Sequence, residues 1–295
     1  MKKHKALSVF VIIGIVLLIL GIITTSVGFI TGGTLDFQEL RNRGYFRYIR
    51  EENYDIDSPT NKDLENIDYN ITSEIVSIDI EVAVADIEII LNADSSRVEA
   101  RNYRKDILKI SESNGTLILK DARDYNYYYD DLSSTTVKVY IVGNSFNIVD
   151  IDLDVGNITI SGMTAGEADI DADVGDIKVS GSTFTDLNCS SATGNVTITD
   201  TTTTVLELDA DVGDIVFRGD VTREAGISSD VGNVTLDLAS AESNYYFELS
   251  VDVGDVSING SHTSGLGRHI THGQPNAPVK IEVESSLGDV DITTK

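Results

Sequence analysis

The chain has 295 residues, with 48 Asp and Glu against 22 Lys and Arg, a formal net charge of −26 and a pI near 4.3. A surface of that sign repels nucleic acid and anionic lipid, so neither is an expected ligand of the folded part. Apolar residues make up 41% and are patterned, which excludes a disordered polyanion, and a single cysteine excludes an internal disulfide.

The N-terminus carries Lys2, Lys3 and Lys5, followed by an uncharged apolar run from Ala6 to Ile30. A helix of that length crosses ~30 Å of hydrocarbon. Residues 1–30 are therefore expected to be a cytoplasmic tip and a single-pass transmembrane anchor. The lysines keep the tip inside, and the rest lies outside the cell. Residues 31–73 are expected to be a juxtamembrane junction and linker. Its first half mixes Phe37, Leu40, Tyr45, Phe46 and Tyr48 with Arg41, Arg43, Arg47 and Arg50. That mixture suits a stalk or a short interfacial helix.

From residue 74 to 295 the sequence predicts an extracellular all-β solenoid. Ile80, Val82, Val84, Ile87 and Ile89 alternate as in a strand with one buried face, and are read as the first coil, with Ala85 at its corner. Short strands are expected near 97–103, 107–110, 116–120 and 136–142, with a hairpin turn at Ser113-Asn114-Gly115. Between them Tyr125, Tyr127, Tyr128 and Tyr129 stand among acids on a surface loop, a candidate partner contact.

Regular repeats fill 148–260. The phrase from Asp150 to Ile160 returns around Gly175, Gly194, Gly213, Gly232 and Gly254, mostly at a period of 19 residues, which marks a solenoid. Gly156, Gly175, Gly194, Gly213, Gly232, Gly254 and Gly288 are expected at equivalent turns, where the alternation slips phase. Counted from each Gly, positions −5, −3, −1, +2 and +4 are expected to face inward. Ile151, Ile170, Cys189, Leu208, Ile227 and Leu249 should form one core column, which makes Cys189 a small buried hydrophobe rather than a nucleophile. An insertion at 261–278 precedes a last coil at 279–295, and no end cap is evident in the sequence. His262, His269 and His272 lie in the insertion. His269 and His272 have a spacing that metals use, but the surrounding Gly and Pro favour a loop.

Outward acids also recur. Asp154, Asp173, Asp211, Asp230 and Asp252 share one position, Asp152, Asp171 and Asp209 another, and Asn or Asp follows every repeat Gly. Stacked carboxylates repel unless compensated. They could ligate Ca²⁺, or they could serve turn geometry by accepting backbone N–H bonds. The turn reading is preferred, so no cofactor is expected, with Ca²⁺ at the first row as the alternative. No nucleophile–His–acid set, phosphate loop or distinctive carboxylate pair occurs, so an enzyme is not expected. A carbohydrate-active β-helix is the catalytic alternative.

The anchor, the Val84–Ile89 coil, the strand at 137–141 and the repeated Asp-x-Gly-Asp/Asn-Ile phrases resemble the bacterial "putative adhesin" family of domains of unknown function. The resemblance covers residues 74–295. Val142-Gly143 departs from the Pro-containing phrase that members often carry there. The resemblance implies a membrane-anchored β-solenoid of the cell envelope, linked to envelope stress, and no catalytic residues. The expected role is a non-catalytic adhesin or envelope interaction module with a protein or cell-wall glycan partner. The first alternative is a divalent-cation module.

Overall fold

In the computed structural model of the protein, residues 64–104, 106–121 and 135–295 are described. The expected anchor, the junction up to residue 63 and the four loop tyrosines fall outside them. Residues 58–295 form one compact unit. Among the described residues no helix is long and apolar enough to cross a membrane.

Strict alternation of aliphatic and polar residues builds parallel strands that stack rung on rung. The first are β1 (Leu64–Asn70), β2 (Ser77–Val84) and β3 (Asp86–Leu91). Then come β4 (Arg97–Arg104), β5 (Leu108–Ser113), β6 (Thr116–Asp121) and β7 (Thr136–Ile141). The repeats supply β8 (Ser145–Val155), β9 (Ile158–Ser161), β10 (Thr164–Val174), β11 (Ile177–Ser180) and β12 (Thr183–Thr193). In β13 (Val196–Val212) and β14 (Ile215–Val231) the short strand of one coil runs on into the long strand of the next. The last are β15 (Val234–Leu238), β16 (Tyr245–Ile258), β17 (Ser261–Gly273), β18 (Val279–Leu287) and β19 (Val290–Thr294).

The predicted core column is present and longer than expected. Its register runs Leu119, Ile80, Ile151, Ile170, Cys189, Leu208, Ile227, Val283, Leu249. Cys189 is fully buried and free, and burial pushes its thiol pKa up, so it is inert packing.

Rung order departs from chain order at both ends. The coil β18/β19 lies between β14/β15 and β16, so the C-terminal segment is interior to the stack. Likewise β2/β3 lies between β6/β7 and β8/β9, so the coil read as first is second. Both outer coils are capped by antiparallel strands. At one end β5 covers β6, β4 covers β7 and β1 covers β4. At the other, β17 covers β16. The predicted insertion is thus a cap strand rather than a loop. Its Gly residues follow the corner of β16, with Gly265 opposite Gly254. Within the expected linker, Leu64–Asn70 is strand β1, because Ile67, Tyr69 and Ile71 pack on the core. Glu112 fixes that entry by accepting the backbone N–H of Ser73 at 2.7 Å and the Tyr69 hydroxyl at 3.0 Å. The predicted hairpin is present, with Asn114 and Gly115 both at positive φ.

The repeat glycines form one row in the order Gly156, Gly175, Gly194, Gly213, Gly232, Gly288, Gly254, starting from Ala85. A Cβ on Gly175 would stand 1.6 Å from the carbonyl oxygen of Gly156, and the other rungs are nearly as close. No side chain fits, and φ at Gly175 is +151°, so both space and backbone require glycine. Gly175→Ala is expected to destabilise the protein by about 3–5 kcal/mol in urea unfolding. Gly226, with open space around it and no positive φ, provides the control. Gly226→Ala should change stability by no more than ~0.5 kcal/mol.

Candidate functional site

Each repeat corner reads Asp-Val-Gly-Asn/Asp, or a variant of it, and the backbone there is satisfied by the neighbouring rungs. The Gly N–H donates to the next rung, as from Gly156 to the Val174 carbonyl at 2.9 Å and from Gly175 to that of Thr193 at 2.8 Å. The residue after Gly builds a side-chain relay in the order Asp86, Asn157, Asp176, Asn195, Asp214, Asn233, Asp289, Asp255. Each Oδ1 accepts the backbone N–H of the next member at 2.8–3.0 Å. Asn157, Asn195 and Asn233 also donate Nδ2–H to the Asp before them. Alternation of Asp and Asn therefore places a donor beside each carboxylate. The hydrogen bond from the Asn195 backbone, then the nearby Lys178, holds the Asp176 carboxyl below the usual range. In this row the turn reading of the acids agrees with the geometry.

The candidate Ca²⁺ row is not continuous. In rung order its position holds Asp154, Asp173, Ala192, Asp211, Asp230, Ser286, Asp252, from the register of the flanking pairs. Among the described residues, no three His, Cys, Asp or Glu side chains form a group able to hold a metal ion. His269 and His272 are three apart on one strand and so point to opposite faces. His269 meets Ser250, while His272 pairs with Glu242 and lies near the Phe247 ring.

The position just before each Gly departs from the expectation. Val155, Val174, Val212, Val231, Leu287 and Val253 were assigned to the core, by direct count or by their place in the repeat, and instead face solvent. The chain turns one residue early, so positions −2 and −1 are both outward. With Leu266 on the cap they form one line: Val155, Val174, Thr193, Val212, Val231, Leu287, Val253, Leu266. Exposure of its aliphatic members runs from 40% at Val155 to 76% at Leu266. Rungs ~4.8 Å apart make this row about 34 Å long. On one side runs the Asp154 row, and on the other the Asp/Asn relay. Sequence reasoning missed this ridge because alternation alone does not say where a strand turns.

A broad acidic face covers the outward side of the long strands. Burial first, then neighbouring carboxylates, raises the pKa of Asp150, Asp152, Asp171 and Asp209. Lysines relieve it near both ends: Lys120 reaches Glu81 at 3.0 Å and Lys280 reaches Glu248 at 2.8 Å.

The profile of the Toastrack DUF4097 family matches residues 59–293. The chain belongs to the Toastrack DUF4097 family. Solved structures share the fold. A Bacteroides fragilis protein described as a "putative adhesin" has a TM-score of 0.51 at 18% identity, covering 78% of this chain and 97% of its own. A Parabacteroides distasonis protein described as a "putative lipid binding protein" has a TM-score of 0.43 at 16% identity, covering 78% and 96%. A Clostridium sporogenes protein described as a "putative cell adhesion protein" has a TM-score of 0.36 at 12% identity, covering 79% and 100%. No curated protein matches.

The titrations of this Toastrack domain have opposite signs in two groups. An acid with a raised folded pKa binds more protons when folded, so it adds stability as pH falls toward ~4 and loses it as pH rises. Asp176, Asp237 and Glu112 have lowered values, Glu112 about 2, and their contribution is lost only as pH falls through those values. The melting temperature at low salt should therefore rise from pH 7.5 to about 5 and fall again below ~4. Added 0.5 M NaCl should shrink the rise by screening the rows (Debye length roughly 4 Å). A steady fall from pH 7.5 downward would contradict the acidic-face account.

Proposed function

We propose that this protein is a non-catalytic surface module, held in the cell membrane by residues 6–30 and presenting its solenoid outside the cell. Its role is attachment: a rigid post that offers a long face to a protein or cell-wall glycan of the envelope. The observation that carries this reading is the aliphatic ridge, seven exposed large apolar side chains in one line on a scaffold that gains nothing from exposing them. The adhesin descriptions of structural relatives point the same way. The polar corner residues are engaged with the backbone of the next rung, and Cys189 is sealed in the core, which favours a binding surface over chemistry.

Protease shaving of intact cells producing the full chain tests the placement. The solenoid should be cleaved from outside while the protein stays in the carbonate-washed membrane fraction, and deletion of residues 6–30 should release it. A solenoid protected in intact cells would contradict the reading, as would release of products from cell-wall glycans by the purified chain.

A further inference from the structure

The geometry points to the aliphatic ridge as the docking site for a basic amphipathic helix of a protein partner. This rests on the surface-module reading and names the chemistry of what the module holds.

Three properties of the ridge select that occupant. First, its spacing fits a helix. An apolar seam at heptad positions a and d advances one residue per ~5.2 Å of helix axis, against ~4.8 Å per rung. Over the eight rungs from Val155 to Leu266 the two drift by only about 3 Å, less than one rung. An extended strand laid along the axis repeats its faces every ~6.8 Å and falls out of step within a few rungs. Second, the flanks carry charge of one sign. Asp154, Asp173, Asp211, Asp230 and Asp252 lie on one side, while Asp176, Asp214, Asp289 and Asp255 recur in the relay on the other. A helix with Lys or Arg on both sides of its seam meets both rows, and carboxylates that repel one another along the stack gain partners. Third, the same charges disfavour other occupants. A second copy would bring its own Asp rows against these, and an anionic membrane would be repelled. Thr193, the polar step in the line, lies beside Ala192, where the acidic row is also interrupted, so the seam and its flank weaken at one rung.

The test uses the full chain in nanodiscs of zwitterionic lipid and a synthetic helix of about 22 residues, the length of the ridge. Leu occupies a and d, Lys occupies e and g, and Ala and Gln fill the rest. Lysines at both e and g keep the free helix from pairing with itself. Affinity is read by anisotropy of a labelled helix, relative to empty nanodiscs, at 50 and 300 mM NaCl. The triple variant Val174→Thr, Val212→Thr, Val231→Thr keeps β-branched side chains at solvent-facing positions. It should bind at least tenfold more weakly while melting like the parent. The triple variant Asp173→Asn, Asp211→Asn, Asp230→Asn should also bind more weakly and lose much of the salt dependence. The proposal is overturned if the valine variant binds as tightly as the parent, or if a helix of the same composition with its seam scrambled binds equally well. It is also overturned if the parent sediments as a dimer that the valine variant abolishes, since a second copy then covers the ridge. Shaving that places the solenoid inside the cell would instead defeat the surface reading and leave this binding result standing.

Discussion

Successive rungs touch backbone to backbone at one corner, and that close approach sets the rest of the structure. Where Gly175 meets the carbonyl of Gly156 there is no room for even a methyl group. Glycine is demanded at each later rung for the same reason, which fixes the register of everything attached to it. A one-residue slip would put a side chain into that gap and turn every aliphatic residue outward. The row can begin at Ala85 because it is Ala85's own carbonyl that Gly156 approaches.

The relay of Asp and Asn is the polar counterpart of this contact. Parallel rungs leave the turn N–H groups to be satisfied from above or below, and one side-chain oxygen per rung does that throughout the stack. Acids therefore serve two different purposes in one molecule. Those in the relay are held by hydrogen bonds and favour the folded state when ionised. Those on the long strands crowd one another and oppose it. A net charge of −26 conceals this division, which only the rung-by-rung geometry separates.

The stack, its period, its glycine corner and most of its core columns were legible in the sequence, because period-two alternation and a 19-residue repeat translate directly into parallel rungs. Two things were not. Rung order at the ends is invisible because aliphatic columns are chemically interchangeable: Ile227 packs on Val283 as well as it would on Leu249. The ridge was concealed because Val155 and Val174 continue the alternation that buries Leu153 and Ala172, while the chain has already begun to turn. The cap strand β17 was concealed in another way. Its glycines read as loop, yet they are there to follow the corner of the strand they cover.

The account depends on the C-terminal coil lying inside the stack, so that the ridge and the corner row run unbroken through Leu287 and Gly288 to Val253 and Gly254. Cysteine pairs on solvent-facing positions read this directly, with Cys189 left buried and unreactive. Ser228 stands beside Glu284, and Glu284 stands beside Ser250. Neighbouring rungs at ~4.8 Å lie within disulfide reach, while two rungs, ~9.6 Å, lie beyond it. Under mild oxidation the pair Ser228→Cys with Glu284→Cys should cross-link fully, and Ser228→Cys with Ser250→Cys should remain reduced. The opposite pattern would mean that the rungs stack in chain order, and would contradict both the corner row and the ridge built on it.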